Sequence, residues 1–217
     1  MGHVMEKKAR EVGRPRSFSD EDAYLATTRL LIEHGAAGIT LADLARELGC
    51  TAPALNVRFG SRAGLLRNYF QWATQNEVDR FAKSREKYAS PLKALRHRLL
   101  QPANDPHEQV LDASSQAKLL SIFVEAQRDP TFAGQVARRN AMLEEELATS
   151  LSAAMVAGEL KSTDSRQLAH LLFTSLVGAG YLWSVQPQGP VSEHYAAILN
   201  SVIAPYETTG KKRKSSD

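Results

Sequence analysis

Between Thr40 and Arg62 the chain gathers short hydroxyl, amide and guanidinium side chains among small ones: Thr40, Thr51, Ala52, Pro53, Ala54, Asn56, Val57, Arg58, Ser61 and Arg62. The hydroxyls, the amide and the guanidinium forks donate hydrogen bonds to anionic oxygens, and small neighbours let a bulky partner come close. Nucleophilic or metal chemistry finds no such gathering. The histidines, His3, His34, His97, His107, His170 and His194, are scattered, with no pair at i, i+4 and no HExxH motif. Neither a glycine-rich phosphate loop nor a GxSxG elbow occurs. Cys50 is the one cysteine, which excludes an intramolecular disulfide and a cysteine cluster for zinc; it reads as a small hydrophobe. The run Glu144, Glu145 and Glu146 reads as a solvated helix face. No catalytic constellation is assembled, and no cofactor or metal is expected.

The elements that must position the cluster follow from helical periodicity, which dominates while strand alternation is nearly absent. Ser19 followed by Asp20, Glu21 and Asp22 is a helix start with acids in its first turn. Ala23, Ala26, Thr27, Leu30 and Leu31 then mark one helix face, and Gly35 is expected to stop it. A second start follows at Thr40, with Leu41, Leu44, Ala45 and Leu48 on one face and Gly49 behind them. Thr51 caps a third, short helix in which Leu55 and Phe59 stand one turn apart and Pro53 sits in the first turn, where its missing N–H costs little. Ser61 opens a long helix from about Arg62 into the eighties, with Leu65, Leu66, Tyr69, Phe70 and Phe81 among its apolar residues. Two short helices joined at a glycine form a helix-turn-helix, whose second helix lies in the major groove of DNA with its N-terminal residues against base edges. Thr40, Thr51 and Ser61 read as caps, and a cap hydroxyl can also donate to a phosphate.

The run from Gly38 to Leu66, GITLADLARELGCTAPALNVRFGSRAGLL, resembles the DNA-binding signature of the TetR family of regulators. Gly38, Thr40, Leu44, Ala45, Gly49, Leu55, Phe59, Ser61, Leu65 and Leu66 carry the likeness. It departs where the family has Tyr and His on the third helix, here Asn56 and Arg58, and where the fourth helix opens on Lys, here Arg62. The resemblance implies that Arg58 and Arg62, and Asn56 after them, clamp phosphates; Asn56 and Val57 are also placed to alter base preference. Gly13 to Arg16, with Arg14 and Arg16, is a candidate for tracking the minor groove, with plain disorder as the alternative.

Beyond Ser90 the pattern remains helical. Pro91 opens a helix ending near Pro102, and Ala103 to Gln109 is expected as a loop. Further helices are predicted over Leu111 to Arg128, Thr131 to Ala157, Asp164 to Val185 and Val191 to Ile203. The family resemblance implies that the last two pair with their copies in a second subunit. Gly178, Ala179, Gly180, Ala196 and Ala197 would permit close approach, ordinary packing within the chain being the alternative. It also implies a ligand pocket behind the DNA-binding unit. Tyr69, Trp72, Phe123, Phe173, Tyr181 and Trp183 are its candidate lining, although each also suits a core. The shortage of charge over Leu168 to Trp183 points to a largely apolar effector.

The charge balance supports the same reading. Residues 7–16 carry a net +4 and residues 211–217 a net +3, so that residues 17–210 are mildly acidic within a total of +3. Basic ends on an acidic body suit phosphate backbones. No apolar run is expected to approach the roughly 20 residues that span a bilayer, and no signal-peptide core is expected, so a cytoplasmic location follows. The fold expected is all-α, with about nine helices. A basic flexible arm (1–16) precedes a helix-turn-helix domain (17–78, the motif at about 40–59). A larger ligand-binding and dimerisation domain (79–207) follows, then a basic disordered tail (208–217). The function expected is a homodimeric repressor of double-stranded operator DNA released by a small molecule. The alternative is a helical enzyme that processes small molecules and does not bind DNA.

Overall fold

The computed structural model describes residues 18–100 and 112–208. The basic arm with Arg14 and Arg16, the loop expected at Ala103 to Gln109 and the tail from residue 209 lie outside the described residues. Nine α-helices follow one another among those described: α1 (Asp20–Gly38), α2 (Leu41–Leu48), α3 (Ala52–Phe59), α4 (Arg62–Lys87), α5 (Pro91–Leu100), α6 (Ala113–Ala126), α7 (Pro130–Val156), α8 (Ser165–Val185) and α9 (Val191–Ile203). A short 3-10 turn, Ala204–Tyr206, closes the series.

Side-chain caps explain where most of them begin. Ser19 accepts from the Asp22 amide while the Asp22 carboxylate accepts from the Ser19 amide, a reciprocal box that Thr40 and Asp43 repeat at α2. Thr51, Ser61, Asp112, Asp129 and Asp164 cap α3, α4, α6, α7 and α8 in the same sense. One boundary differs from expectation. Gly35 does leave helical geometry, with φ 70° and ψ 168°, but the chain resumes a last turn to Gly38 rather than stopping. That extra turn presents the Ala36 amide to the Ser121 hydroxyl of α6 at 2.8 Å. Contact with α6 thus supplies the hydrogen bond that the broken helix lacks.

Two buried clusters organise the molecule. The first joins α1 to α4 through Leu31, Ile39, Leu44, Leu55, Leu65, Leu66 and Phe70, and extends into Ile122, Ala126 and Phe132 of α6 and α7. The second lies among α5, α7, α8 and α9, around Leu95, Leu147, Leu151, Leu172, Leu199 and Ile203. Helix α4 serves both, with Phe70 in the first and Phe81 in the second, so the expected division at 78/79 falls inside one continuous helix. Helix α1 lies along α6, and α8 lies between α7 and α9.

Helix α8 bears on the expectation about apolar runs without overturning it, since a core helix has the same length and composition. By length and composition alone this 21-residue helix, with a mean hydropathy of 1.4 over an 18-residue window, would be sufficient to cross a membrane. The scattered His170, Thr174, Ser175 and Ser184 hide this in a linear reading. Its apolarity has two faces. Leu168, Ala169, Leu172, Ala179 and Trp183 enter the core, while Leu171, Val177, Tyr181, Leu182 and Val185 face outward at helical spacing.

Candidate nucleic-acid interface

The turn between α2 and α3 is built on Gly49, whose backbone is left-handed at φ 64° and ψ 32°. A side chain there would be strained, so glycine is what permits the chain to reverse in so few residues. The Cys50 amide reaches back to the Ala45 carbonyl at 3.0 Å and locks the turn. Cys50 itself packs against the first core cluster, and burial pushes its thiol pKa up, as fits a small hydrophobe. Beneath the motif, Leu44, Leu55 and Phe59 are buried. Gly64, which the sequence reading passed over, lies against the Phe59 carbonyl so closely that a Cβ would overlap its oxygen. Helix α4 therefore docks by backbone on the end of α3.

With Leu55 and Phe59 turned inward, α3 presents Thr51, Pro53, Ala54, Asn56, Val57 and Arg58 to solvent, with Ala52 half-buried at its start. Val57 is 89% exposed, unusual for a β-branched apolar side chain and without a packing reason among the described residues. Thr40 and Ser61 flank this face, both exposed at the entries to α2 and α4. The Thr40 hydroxyl donates to Asp43 at 2.6 Å, and this bond holds the Asp43 carboxyl below the usual carboxylate range. The sequence-predicted residues of α3 thus form one continuous surface.

The two arginines part company. Arg58 stays at the surface. Its Nε donates to Asp20 at 2.6 Å, its Nη1 to the Phe18 carbonyl at 2.8 Å, and its guanidinium lies 4.8 Å from the Phe18 ring centroid. Arg58 thereby joins α3 to the start of α1. Arg62 instead turns inward. Its Nε donates to the Ile39 carbonyl at 2.8 Å, its Nη2 to the Ala36 carbonyl, and its Nη1 to Glu125 of α6 at 2.9 Å. All three guanidinium nitrogens are engaged inside the protein, in place of the phosphate contact expected for them. The reason is local: α1 ends beside the start of α4, and its last carbonyls need donors. Removing this link leaves the Ala36 and Ile39 carbonyls without their charged donor and Glu125 with the longer bond from Arg128, at 3.3 Å. Arg62→Ala should cost about 2 kcal/mol of stability and leave the salt dependence of DNA binding unchanged. Denaturant unfolding with paired salt titrations checks both.

The six aromatic residues expected to line a pocket do not meet in one place. Tyr69 and Trp72 stack with Tyr24 in the core of the N-terminal unit, at centroid distances of 6.0 Å to each other and 5.5 Å from Trp72 to Tyr24. Phe123 packs edge-on to Phe70 at 6.1 Å. Phe173 packs against the second cluster, and Tyr181 faces outward from α8. Trp183 is buried, donates its indole N–H to the Gly189 carbonyl at 3.1 Å, and borders a shallow depression of about 180 Å³ with Leu182, Gln186 and His194. An open groove of about 490 Å³ between α7 and α8 is lined by Glu145, Thr149, Ser152, Val156 and Arg166, none of them predicted. Aromatic side chains mark burial more often than binding, so type alone does not gather these six at one site.

The small residues divide as well. Gly178 is half-buried on α8, Ala197 is exposed and Ala196 half-buried on α9, whereas Ala179 and Gly180 turn into the chain. A Cβ on Gly180 would meet the Tyr195 hydroxyl at 2.5 Å, so this glycine serves packing of α8 on α9 within one chain. The outward face consists of the larger residues Leu171, Val177, Tyr181, Leu182 and Val185. Among the described residues no group of His, Cys, Asp and Glu is arranged to hold a metal ion.

Comparison with known proteins agrees with this geometry. Residues 24–69 match the family described as bacterial regulatory proteins, tetR family. The HTH-type transcriptional repressor BdcR of Escherichia coli K12 is 39% identical over 62 residues, which are 29% of this chain and 32% of BdcR, so the match spans about a third of that relative. SmeT, the repressor of the Stenotrophomonas maltophilia multidrug efflux pump SmeDEF, superimposes over 91% of this chain and 94% of its own with a TM-score of 0.69 at 16% identity. A TetR transcription regulator from Haloarcula marismortui does so over 87% and 98%, with a TM-score of 0.73 at 19% identity. Residues 24–69 thus carry the helix-turn-helix unit of the tetR family of bacterial regulatory proteins, and nearly the whole length of the chain shares the fold of these solved regulators.

Proposed function

We propose that this protein is a ligand-responsive transcriptional repressor that binds double-stranded operator DNA as a homodimer. The observation that carries the reading is the face of α3. Its buried residues are confined to Leu55 and Phe59, and everything else is small, polar or unaccountably exposed. Such a helix fits a major groove, where Asn56 can read a base edge and the Val57 methyls can meet a thymine methyl. Arg58 holds a phosphate from the edge of this face, with Nη2 making no hydrogen bond among the described residues. Replacing Arg58 by Ala should weaken binding about tenfold on every sequence and lower the salt slope by about one unit per protomer. Fluorescence anisotropy across a salt series on fragments retrieved from the genome tests this. Unchanged affinity and slope would remove Arg58 from the interface.

Two copies would meet successive major grooves, so the site should be roughly palindromic with half-sites about 34–36 Å apart or a multiple of that. The outward apolar face of α8, with Ala196 and Ala197 of α9 beside it, is the surface we assign to the second copy. Release would follow from movement of α6. Its Ser121 and Glu125 grip the end of α1 and Arg62, so displacing α6 shifts the unit that carries α3. The effector must prefer the displaced state, because equal affinity for both states shifts nothing. SmeT has also been solved in complex with triclosan, and a small-molecule effector is the analogous expectation here. A cytoplasmic location and the lack of a catalytic role complete the proposal.

A further inference from the structure

Arg139 lies midway along α7, at its junction with α4 and α6. Its guanidinium carbon is 5.7 Å from the Phe70 ring centroid and 5.6 Å from that of Phe123. Arginines at other helix junctions each meet a carboxylate: Arg62 meets Glu125, Arg67 meets Asp129, Arg85 meets Glu146 and Arg98 meets Glu77. Among the described residues no carboxylate lies within salt-bridge distance of Arg139. Burial lowers its pKa from the ordinary arginine value, opposed by the more distant Glu77 and Tyr69. One turn earlier on the same helix, Gln135 holds its side-chain oxygen buried with no hydrogen-bond partner among the described residues. A cation packed between rings with no counter-ion among the described residues, beside an amide oxygen with no partner among them, is costly to fold and calls for a further partner.

We infer that the effector is an organic carboxylate whose acid group pairs with Arg139 and whose apolar body lies against Phe70 and Phe123. This rests on the ligand-responsive reading above and replaces the expectation of a merely apolar effector. The planar guanidinium offers a carboxylate two parallel hydrogen bonds, and the rings stabilise its charge while leaving its edge open. Gln135 supplies the second polar contact, to a hydroxyl or amide N–H on the effector. Because Arg139 is only half-buried, an anion reaches it from solvent. The position also couples to DNA. Phe123 stands on α6 between Ser121, which accepts from the Ala36 amide at the end of α1, and Glu125, which accepts from Arg62 at the start of α4.

The test titrates DNA-free protein with phenylacetate, indole-3-acetate and octanoate, each beside its uncharged amide, by calorimetry. At least one acid should bind about tenfold more tightly than its amide, and Arg139→Gln should erase the difference. Arg139→Met should lose the acid preference yet raise the melting temperature of the free protein by about 2–4 °C, as expected when a charge awaiting a ligand is replaced by an apolar side chain. A purely structural arginine would lower it. Failure of all three acids to bind at millimolar concentration, equal affinity of acids and amides, or an acid preference that survives Arg139→Met overturns the assignment. Gel shifts on the same preparations keep the two readings apart. Protein that prefers acids through Arg139 but never binds DNA contradicts the regulator and leaves the carboxylate site standing.

Discussion

Replacing Val57 by Glu should reduce DNA affinity at least about a hundredfold and leave thermal stability nearly unchanged. The stability half follows from exposure. Val57 is 89% exposed and supports no neighbour among the described residues, so its loss removes no burial. Glu has a slightly better helix propensity than Val, offset by its unfavourable place near the C-terminus of α3. The affinity half follows from where the side chain stands. In the proposed complex the introduced carboxylate of each protomer would enter a groove walled by phosphates, and a repelled charge would replace an apolar contact. A penalty of about 1.4 kcal/mol per protomer suffices for a hundredfold loss, because both protomers bear it. Val57→Thr, which keeps one methyl, should cost far less. Anisotropy titrations beside thermal melts decide the matter, and a Val57→Glu variant that binds normally would place this face of α3 away from DNA.

The parts of this molecule that were legible in its sequence are those determined within a few residues. Helix starts depend on one side chain and an amide three positions on, so Ser19, Thr40, Thr51 and Ser61 announced α1 to α4 correctly. The exposed face of α3 was legible for the same reason: Leu55 and Phe59 determine which side turns inward. Long-range roles were not. Arg62 looked like a phosphate clamp because its partner Glu125 lies 63 residues away, and no local pattern reports that pairing. Aromatic type misled at Tyr69 and Trp72, whose rings complete the core around Tyr24. One signal was present and unread. Phe132, Val136, Arg139, Leu143 and Leu147 recur at helical spacing on α7, and a charge on an otherwise apolar stripe marks either a buried ion pair or a ligand.

The larger effect is expected from Leu182→Glu, which should convert the proposed dimer to monomers and, with it, remove tight DNA binding. Leu171, Val177, Tyr181, Leu182 and Val185 form one outward stripe on a helix whose other face is already in the core. An isolated exposed leucine needs no explanation, but five large apolar residues in register fit the surface assigned above to the second copy. Burying each stabilises by about 1.5–3 kcal/mol, and twofold symmetry counts every one twice. The same symmetry doubles the damage. Two carboxylates would be brought into an apolar interface without partners, each costing several kcal/mol. The chain itself should survive, since Leu182 lies at the edge of the core and borders only the shallow depression beside Trp183. Sedimentation should therefore show a folded monomer with an unchanged helical spectrum. Operator affinity should fall by about 10²–10⁴, because the second half-site is then no longer bound at high effective concentration. Affinity for a single half-site should persist, which separates lost pairing from lost folding. A Leu182→Glu protein that still sediments as a dimer would move the subunit contact to a different face of the helical body.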